Sequence, residues 1–121
     1  MWIVFDLDDT LYDKTGQMNE HSKWQDAKQI VPFPGVKEFL SSFRGKKILL
    51  TKETDYGLQT KKIEALGIKK FFDKVIICNS DDEKKALLEN IKRDFPKEEI
   101  WVVGDRIDTE IRFGKELGLK T

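Results

Sequence analysis

The sequence predicts an open, doubly wound α/β fold, with parallel strands between two layers of helices. Three observations predict it. Four short apolar runs, residues 2–5, 46–51, 74–78 and 100–103, are nearly continuous rather than alternating. That is the pattern of strands covered on both faces. Helical periodicities lie between the runs, and strand–helix alternation is the signature of a parallel sheet. The length, 121 residues, suits one domain around one core. Together these describe a Rossmann-like sandwich of three layers, α/β/α, spanning residues 1–121.

The first run, Trp2 to Phe5, ends in Asp6 and Asp8, with Thr10 two positions on. Residues 12–33 are the one long segment without strand character. They hold Tyr12, His21 and Trp24, with a short helix expected near 20–30. Val36, Phe39, Leu40 and Phe43 fall at helical spacing between Pro34-Gly35 and Gly45, a start and a stop signal. The run 46–51 closes on Thr51. Leu58, Lys61-Lys62, Ile63 and Leu66 predict a second helix, closed by Gly67. After the run 74–78, Asp81-Asp82-Glu83 suit a helix N-terminus. Ala86, Leu87, Leu88 and Ile91 continue that helix towards Pro96. Beyond Val103, Ile107, Ile111, Phe113 and Leu117 predict a fourth helix, closed by Gly118. A fifth strand is expected to start at Leu119-Lys120-Thr121, where the sequence given stops. Either the sheet has four full strands or the fifth is missing, and a bare sheet edge favours self-association.

Composition excludes several classes. Lys plus Arg equals Asp plus Glu, 22 each, which argues against a nucleic-acid or acidic-membrane binder. One cysteine, Cys78, gives no intrachain disulfide and no cysteine-based metal site. No stretch reaches transmembrane length, and residues 1–5 lack the basic start of a signal peptide. The expected location is the cytoplasm.

Open α/β sheets bind ligands beyond the carboxyl ends of their strands. Here those ends carry Asp6 and Asp8, Thr51, the 78–85 loop with Lys84 and Lys85, and Gly104-Asp105. A buried carboxylate is costly unless a cation, a proton or strong donors compensate it. Acids, a hydroxyl and a lysine on one rim fit a Mg²⁺–phosphate site, with Lys and backbone N–H groups on the phosphate.

These residues resemble the four motifs of the haloacid dehalogenase (HAD) superfamily of phosphotransferases. Asp6-Leu7-Asp8-Asp9-Thr10 is similar to motif one, Asp-x-Asp-x-Thr after an apolar strand. Thr51 stands for motif two, a Thr or Ser closing the next strand. Lys84 or Lys85 stands for motif three. Gly104-Asp105, followed by Asp108, Thr109 and Glu110, stands for motif four.

The resemblance implies a HAD-like phosphatase that hydrolyses a phosphate monoester through an aspartyl-phosphate. Asp6 is then the nucleophile, and Asp8 the proton donor and later the base. The implied Mg²⁺ ligands are Asp6, the Asp8 main-chain carbonyl and Asp105. Thr51 and Lys84 bind the phosphoryl oxygens, while Thr10 and either Asp108 or Glu110 support the metal. Lys84 is preferred to Lys85 because Leu88 and Ile91 then fall four and seven residues on, in a core-facing phase. The family usually has an acid four or five residues after the motif-four Asp, and here those positions are Thr109 and Glu110. Asp8 argues against dehalogenase chemistry, whose family members lack the second acid. Neither 12–33 nor 52–72 has room for a full cap, so the expectation is a capless member. Its phosphorylated substrate is then large, or a second copy in a homo-oligomer supplies the lid. The competing readings are a phospho-acceptor signalling domain, which would need an Asp where Thr51 stands, and a non-catalytic domain that kept the fold.

Overall fold

A computed structural model describes residues 1–18 and 30–121. His21, Trp24 and the helix expected near 20–30 lie outside them. The elements are β1 (Trp2–Phe5), α1 (Lys14–Gln17), α2 (Val36–Ser42), β2 (Lys46–Lys52), α3 (Leu58–Leu66), β3 (Lys74–Cys78), α4 (Asp81–Asp94), β4 (Ile100–Val103) and α5 (Arg112–Glu116). A 3₁₀ turn, Lys69–Phe71, precedes β3, and a π-helical turn, Ile107–Ile111, precedes α5. The four expected strands all form.

The strands pair in parallel in the order β3-β2-β1-β4. The chain steps outward from β1 to β3, then returns to the far side of β1. Strand order therefore reverses at β1, and a crevice opens beyond the carboxyl ends of β1 and β4.

Each strand buries both faces, which explains its continuous apolar run. Ile3, Phe5 and Leu49 pack with Leu40 of α2 and with Ile63 and Leu66 of α3. Val4, Ile48, Leu50, Ile100 and Val102 face the other way, against Leu88 and Ile91 of α4 and Phe113 of α5. The result is the expected three-layer α/β/α sandwich. Cys78 is buried in the second layer. Trp2 tilts against Phe95, ring centroids 4.2 Å apart.

Helix ends follow their sequence signals. The Ser80 hydroxyl accepts the Glu83 N–H and caps α4, whose first turn is acidic and last turn basic. Gly67 takes φ +67° to end α3. The predicted fourth helix is different. Its apolar residues at 107, 111, 113 and 117 do not keep one helical phase. The backbone accommodates this with the π-helical turn, where the Ile111 N–H reaches back to the Arg106 carbonyl, 3.3 Å. Such wide turns are enriched at functional sites.

Between β2 and β3 lie only α3 and the 3₁₀ turn, so no cap domain is inserted there. The β4 edge is not wholly bare. Lys120 bridges to it in parallel, its carbonyl accepting the Val102 N–H at 2.7 Å and its N–H reaching Ile100 O at 3.0 Å. It is an isolated bridge beside a four-stranded sheet. Among the described residues, no helix is long and apolar enough to cross a membrane.

Leu50 is fully buried in the middle of β2. Leu50→Ala is expected to destabilise the fold by about 3 kcal/mol through lost transfer energy and a residual cavity, measured as a fall in urea midpoint at unchanged slope.

Candidate active site

The site begins where β1 runs out. Asp6 extends the ladder one residue, its N–H donating to Val103 O at 2.9 Å. Three residues on, the chain turns through Asp9, whose φ of +56° is the left-handed region that Asp tolerates better than most side chains. The Asp9 carboxylate pins this turn to α1, accepting the Thr15 N–H at 2.9 Å and the Thr15 hydroxyl at 2.8 Å. Asp9 is thus a turn residue. The arrangement brings Asp6 and Asp8 to one cavity of about 330 Å³, shared with Gln59, Lys62, Lys84, Asp105 and Glu110.

Asp6 and Asp8 sit in different environments. Asp6 is buried, and its Oδ1 accepts from Lys84 Nζ at 2.9 Å. The same ammonium reaches Glu110 Oε1 at 2.6 Å, and Thr109 Oγ1 donates to Glu110 Oε2 at 2.6 Å. Lys84 is itself buried. One cation from α4 therefore joins the end of β1 to the π-helical turn. Lys85 is partly exposed and pairs with Glu116 at 2.8 Å, so Lys84 is the lysine of the two that meets Asp6.

Asp8 is held by a separate set of donors. Its Oδ1 accepts from Tyr12 OH at 2.6 Å and Lys62 Nζ at 3.0 Å, and its Oδ2 from Gln59 Nε2 at 3.2 Å. The Gln59 amide also donates to Thr51 Oγ1 at 2.7 Å.

Carboxylate oxygens of Asp6, Asp105 and Glu110 come within 4.8 Å of one another. Asp105 is exposed while the other two are buried. Gly104 makes room for this cluster: a Cβ there would fall 2.6 Å from Cγ and 2.7 Å from Cβ of Glu110. The Gly-Asp pair at the end of β4 thus has a steric reason.

Electrostatics separate the two carboxylates further. Burial pushes the Asp6 carboxyl up to about 6, outweighing the pull of Lys84. Burial also acts on Asp8, but the Lys62 ammonium and the Tyr12 hydroxyl overcome it and hold Asp8 below the ordinary carboxylate range. Glu110 is likewise held low, because Lys84 outweighs its burial. Burial would lower Lys84, yet Asp6 and Glu110 raise it. Burial raises the Cys78 thiol, which leaves it unreactive.

The site residues expected from sequence fare differently. Asp6, Asp8, Lys84, Asp105 and Glu110 come together at the cavity. Thr51 is buried at the end of β2, and its hydroxyl accepts from the Gln59 amide beside Asp8. Thr10 Oγ1 is buried with no hydrogen-bond partner among the described residues. The Asp108 side chain lies outside the described part of the structure, and Glu110 is the motif-four acid seen in the cluster. Sequence reasoning missed Tyr12, Gln59 and Lys62. A signal existed for two of them. Gln59, Lys62, Ile63 and Leu66 are spaced i, i+3, i+4, i+7, so both polar side chains fall on the buried stripe of α3.

The strand-order reversal, the paired acids and the buried lysine define a hydrolase core of the haloacid dehalogenase type. The chain belongs to the haloacid dehalogenase-like hydrolase family, which it matches over residues 25–118. That segment takes in Thr51, Lys84, Asp105 and Glu110 and leaves out Asp6–Thr10. The fold is shared over nearly the whole chain. A haloacid dehalogenase-like family hydrolase from Xanthomonas campestris superposes with TM-score 0.74 at 15% identity, covering 98% of this chain and 78% of that one. A hydrolase from Streptococcus pneumoniae TIGR4 gives 0.72 at 16% identity, covering 99% and 90%. The L-2-haloacid dehalogenase of Xanthobacter autotrophicus gives 0.69 at 14% identity, covering 98% and 74%. No curated protein sequence matches significantly.

The raised Asp6 carboxyl has a consequence for stability. Between the unfolded value, 3.8, and about 6, the native state binds more protons than the unfolded one. The cost of ionising Asp6 is thus absent below that window and full above it. In EDTA, Asp6→Asn is expected to be more stable than wild type by on the order of 2 kcal/mol near pH 7.5. The difference should vanish near pH 4, as measured by denaturant melts at both values.

Proposed function

We propose that this hydrolase is a Mg²⁺-dependent phosphatase that cleaves phosphate monoesters through an aspartyl-phosphate on Asp6. The observation that carries the reading is the convergence at one cavity of two unlike carboxylates, a buried lysine and a three-acid cluster. The donor set is all oxygen and more negative than Lys84 alone balances, which suits a hard divalent cation. Asp6, Asp105, Glu110 and the Asp8 main-chain carbonyl would hold it. When bound there, Mg²⁺ supplies Lewis-acid stabilisation of charge on the transferring phosphoryl group.

The chain's own residues do the rest. An Asp6 oxygen forms a bond to phosphorus as the bond to the leaving oxygen breaks, and the electron pair goes to that oxygen. Asp8 protonates it. Asp8 then takes a proton from water, whose oxygen attacks phosphorus and releases inorganic phosphate and the Asp6 carboxylate. Lys84 offsets charge on Asp6 and on the phosphoryl oxygens. Gln59, with its amide held by Thr51, lines the cavity beside Asp8.

Asp8 favours this reading over both alternatives. A phospho-acceptor domain stops at the aspartyl-phosphate, whereas a second acid beside Asp6 supplies the base that completes hydrolysis. Dehalogenase chemistry dispenses with that acid. The substrate is a phosphorylated molecule large enough to be held at an open cavity, or a small one covered by a second copy in a homo-oligomer.

A panel of phosphorylated metabolites and an aryl phosphate tests the reading. Expected is multiple-turnover phosphate release that requires Mg²⁺ and falls by more than about a thousandfold in Asp6→Asn. Absence of Mg²⁺-dependent release, or full activity in Asp6→Asn, overturns it. Gly104→Ala, which crowds Glu110, is expected to weaken Mg²⁺ binding about tenfold in calorimetric titration.

A further inference from the structure

The buried ammonium of Lys62 has no place among the motif residues, yet it is one of the most enclosed side chains in the molecule. It is 2% exposed, on the stripe of α3 that otherwise packs Ile63 and Leu66 into the core. Taking an ammonium out of water costs several kcal/mol unless an anion compensates it. Its ion-pair partner is Asp8, at 3.0 Å. Tyr12, fully buried, and Gln59, nearly so, complete the enclosure.

The geometry has a directional consequence. A carboxylate offers about four lone-pair sites for hydrogen bonds. On Asp8, Oδ1 takes two donors, Tyr12 and Lys62, and Oδ2 takes one, from Gln59. Among the described residues, three positions are occupied by buried side chains, and the open one belongs to Oδ2. Asp8 lines the cavity, so that open position is the one a substrate can use.

We infer that Lys62 is a positioning residue which, with Tyr12 and Gln59, orients Asp8 so that Oδ2 alone exchanges the proton with the leaving oxygen. The inference rests on the phosphatase reading above. It gives the helix after β2 a task in the reaction beyond packing. Lys62 touches neither substrate nor metal in this scheme; it acts through Asp8. Its effect should therefore scale with how much the leaving group needs a proton. A phenolate departs with little help, whereas an alkoxide needs the proton in the transition state.

The test compares kcat/KM for 4-nitrophenyl phosphate and for a primary alkyl phosphate, because kcat/KM reports the step in which the leaving group departs. Lys62→Met is expected to lower kcat/KM for the alkyl phosphate by about 100-fold or more, the usual worth of a positioned general acid. The aryl phosphate should stay within about tenfold of wild type. Tyr12→Phe removes one of the Asp8 bonds and keeps the ring in the core, so it should show the same preference to a smaller degree. It also serves if Lys62→Met does not fold. Equal losses on the two substrates in whichever variants fold, or no loss, overturn the inference while leaving the phosphatase reading intact. Failure of wild type to turn over either substrate with Mg²⁺ overturns the phosphatase reading itself.

Discussion

Everything at the cavity is arranged around one buried cation. Lys84 joins Asp6 at 2.9 Å to Glu110 at 2.6 Å. The three side chains come from the end of β1, the first turn of α4 and the π-helical turn after β4. No two of these segments are adjacent in sequence, and the sheet order places them together. Removing Lys84 would leave two buried carboxylates uncompensated and cost several kcal/mol. The clamp therefore fixes the relative position of three elements as well as three charges. It also leaves a surplus, since one ammonium faces the carboxylates of Asp6, Asp105 and Glu110. That surplus makes the site attractive to a divalent cation.

Much of this was legible in the sequence, for physical reasons. Strands buried on both faces need continuous apolar runs, so their existence and parallel pairing could be read directly. Carboxylates at the ends of such runs stand out because burying them is costly. What stayed hidden depended on tertiary context. Lys62 reads as a surface lysine until the phase of α3 turns it inward. Thr51 reads as a lone strand-end hydroxyl until the fold brings the Gln59 amide to it. The π-helical turn follows from apolar spacings that no single helical phase satisfies, and its effect, bringing Glu110 to Lys84, appears only in three dimensions. Lys120 gives no strand pattern of its own and bridges to β4 because that strand offers an unpaired edge.

Two lysines divide the labour between the two acids. Lys84 is shared between Asp6 and Glu110, so its attraction is diluted and burial dominates Asp6. Lys62 has Asp8 as its ion-pair partner, Tyr12 adds a second bond, and there attraction dominates. Carboxylates whose surroundings push their proton affinities apart are the usual mark of divided acid–base roles. Here the division comes from which helix supplies the cation: α4 for one acid, α3 for the other, on opposite faces of the sheet.

With Mg²⁺ held as proposed, the same division would couple metal binding to the proton. A ligand carboxylate must be ionised to hold a cation, and Asp6 carries its proton up to about 6. Part of any cation's binding energy is thus consumed in displacing that proton below this value, and none of it above. Affinity should weaken as pH falls below about 6, releasing close to one proton per cation bound there. Asp8 and Glu110 are both held below the ordinary carboxylate range and so compete less for the proton than Asp6 does. Asp6 is therefore the residue through which acidity would reach the metal, and its burial, costly to the fold, is what tunes that response.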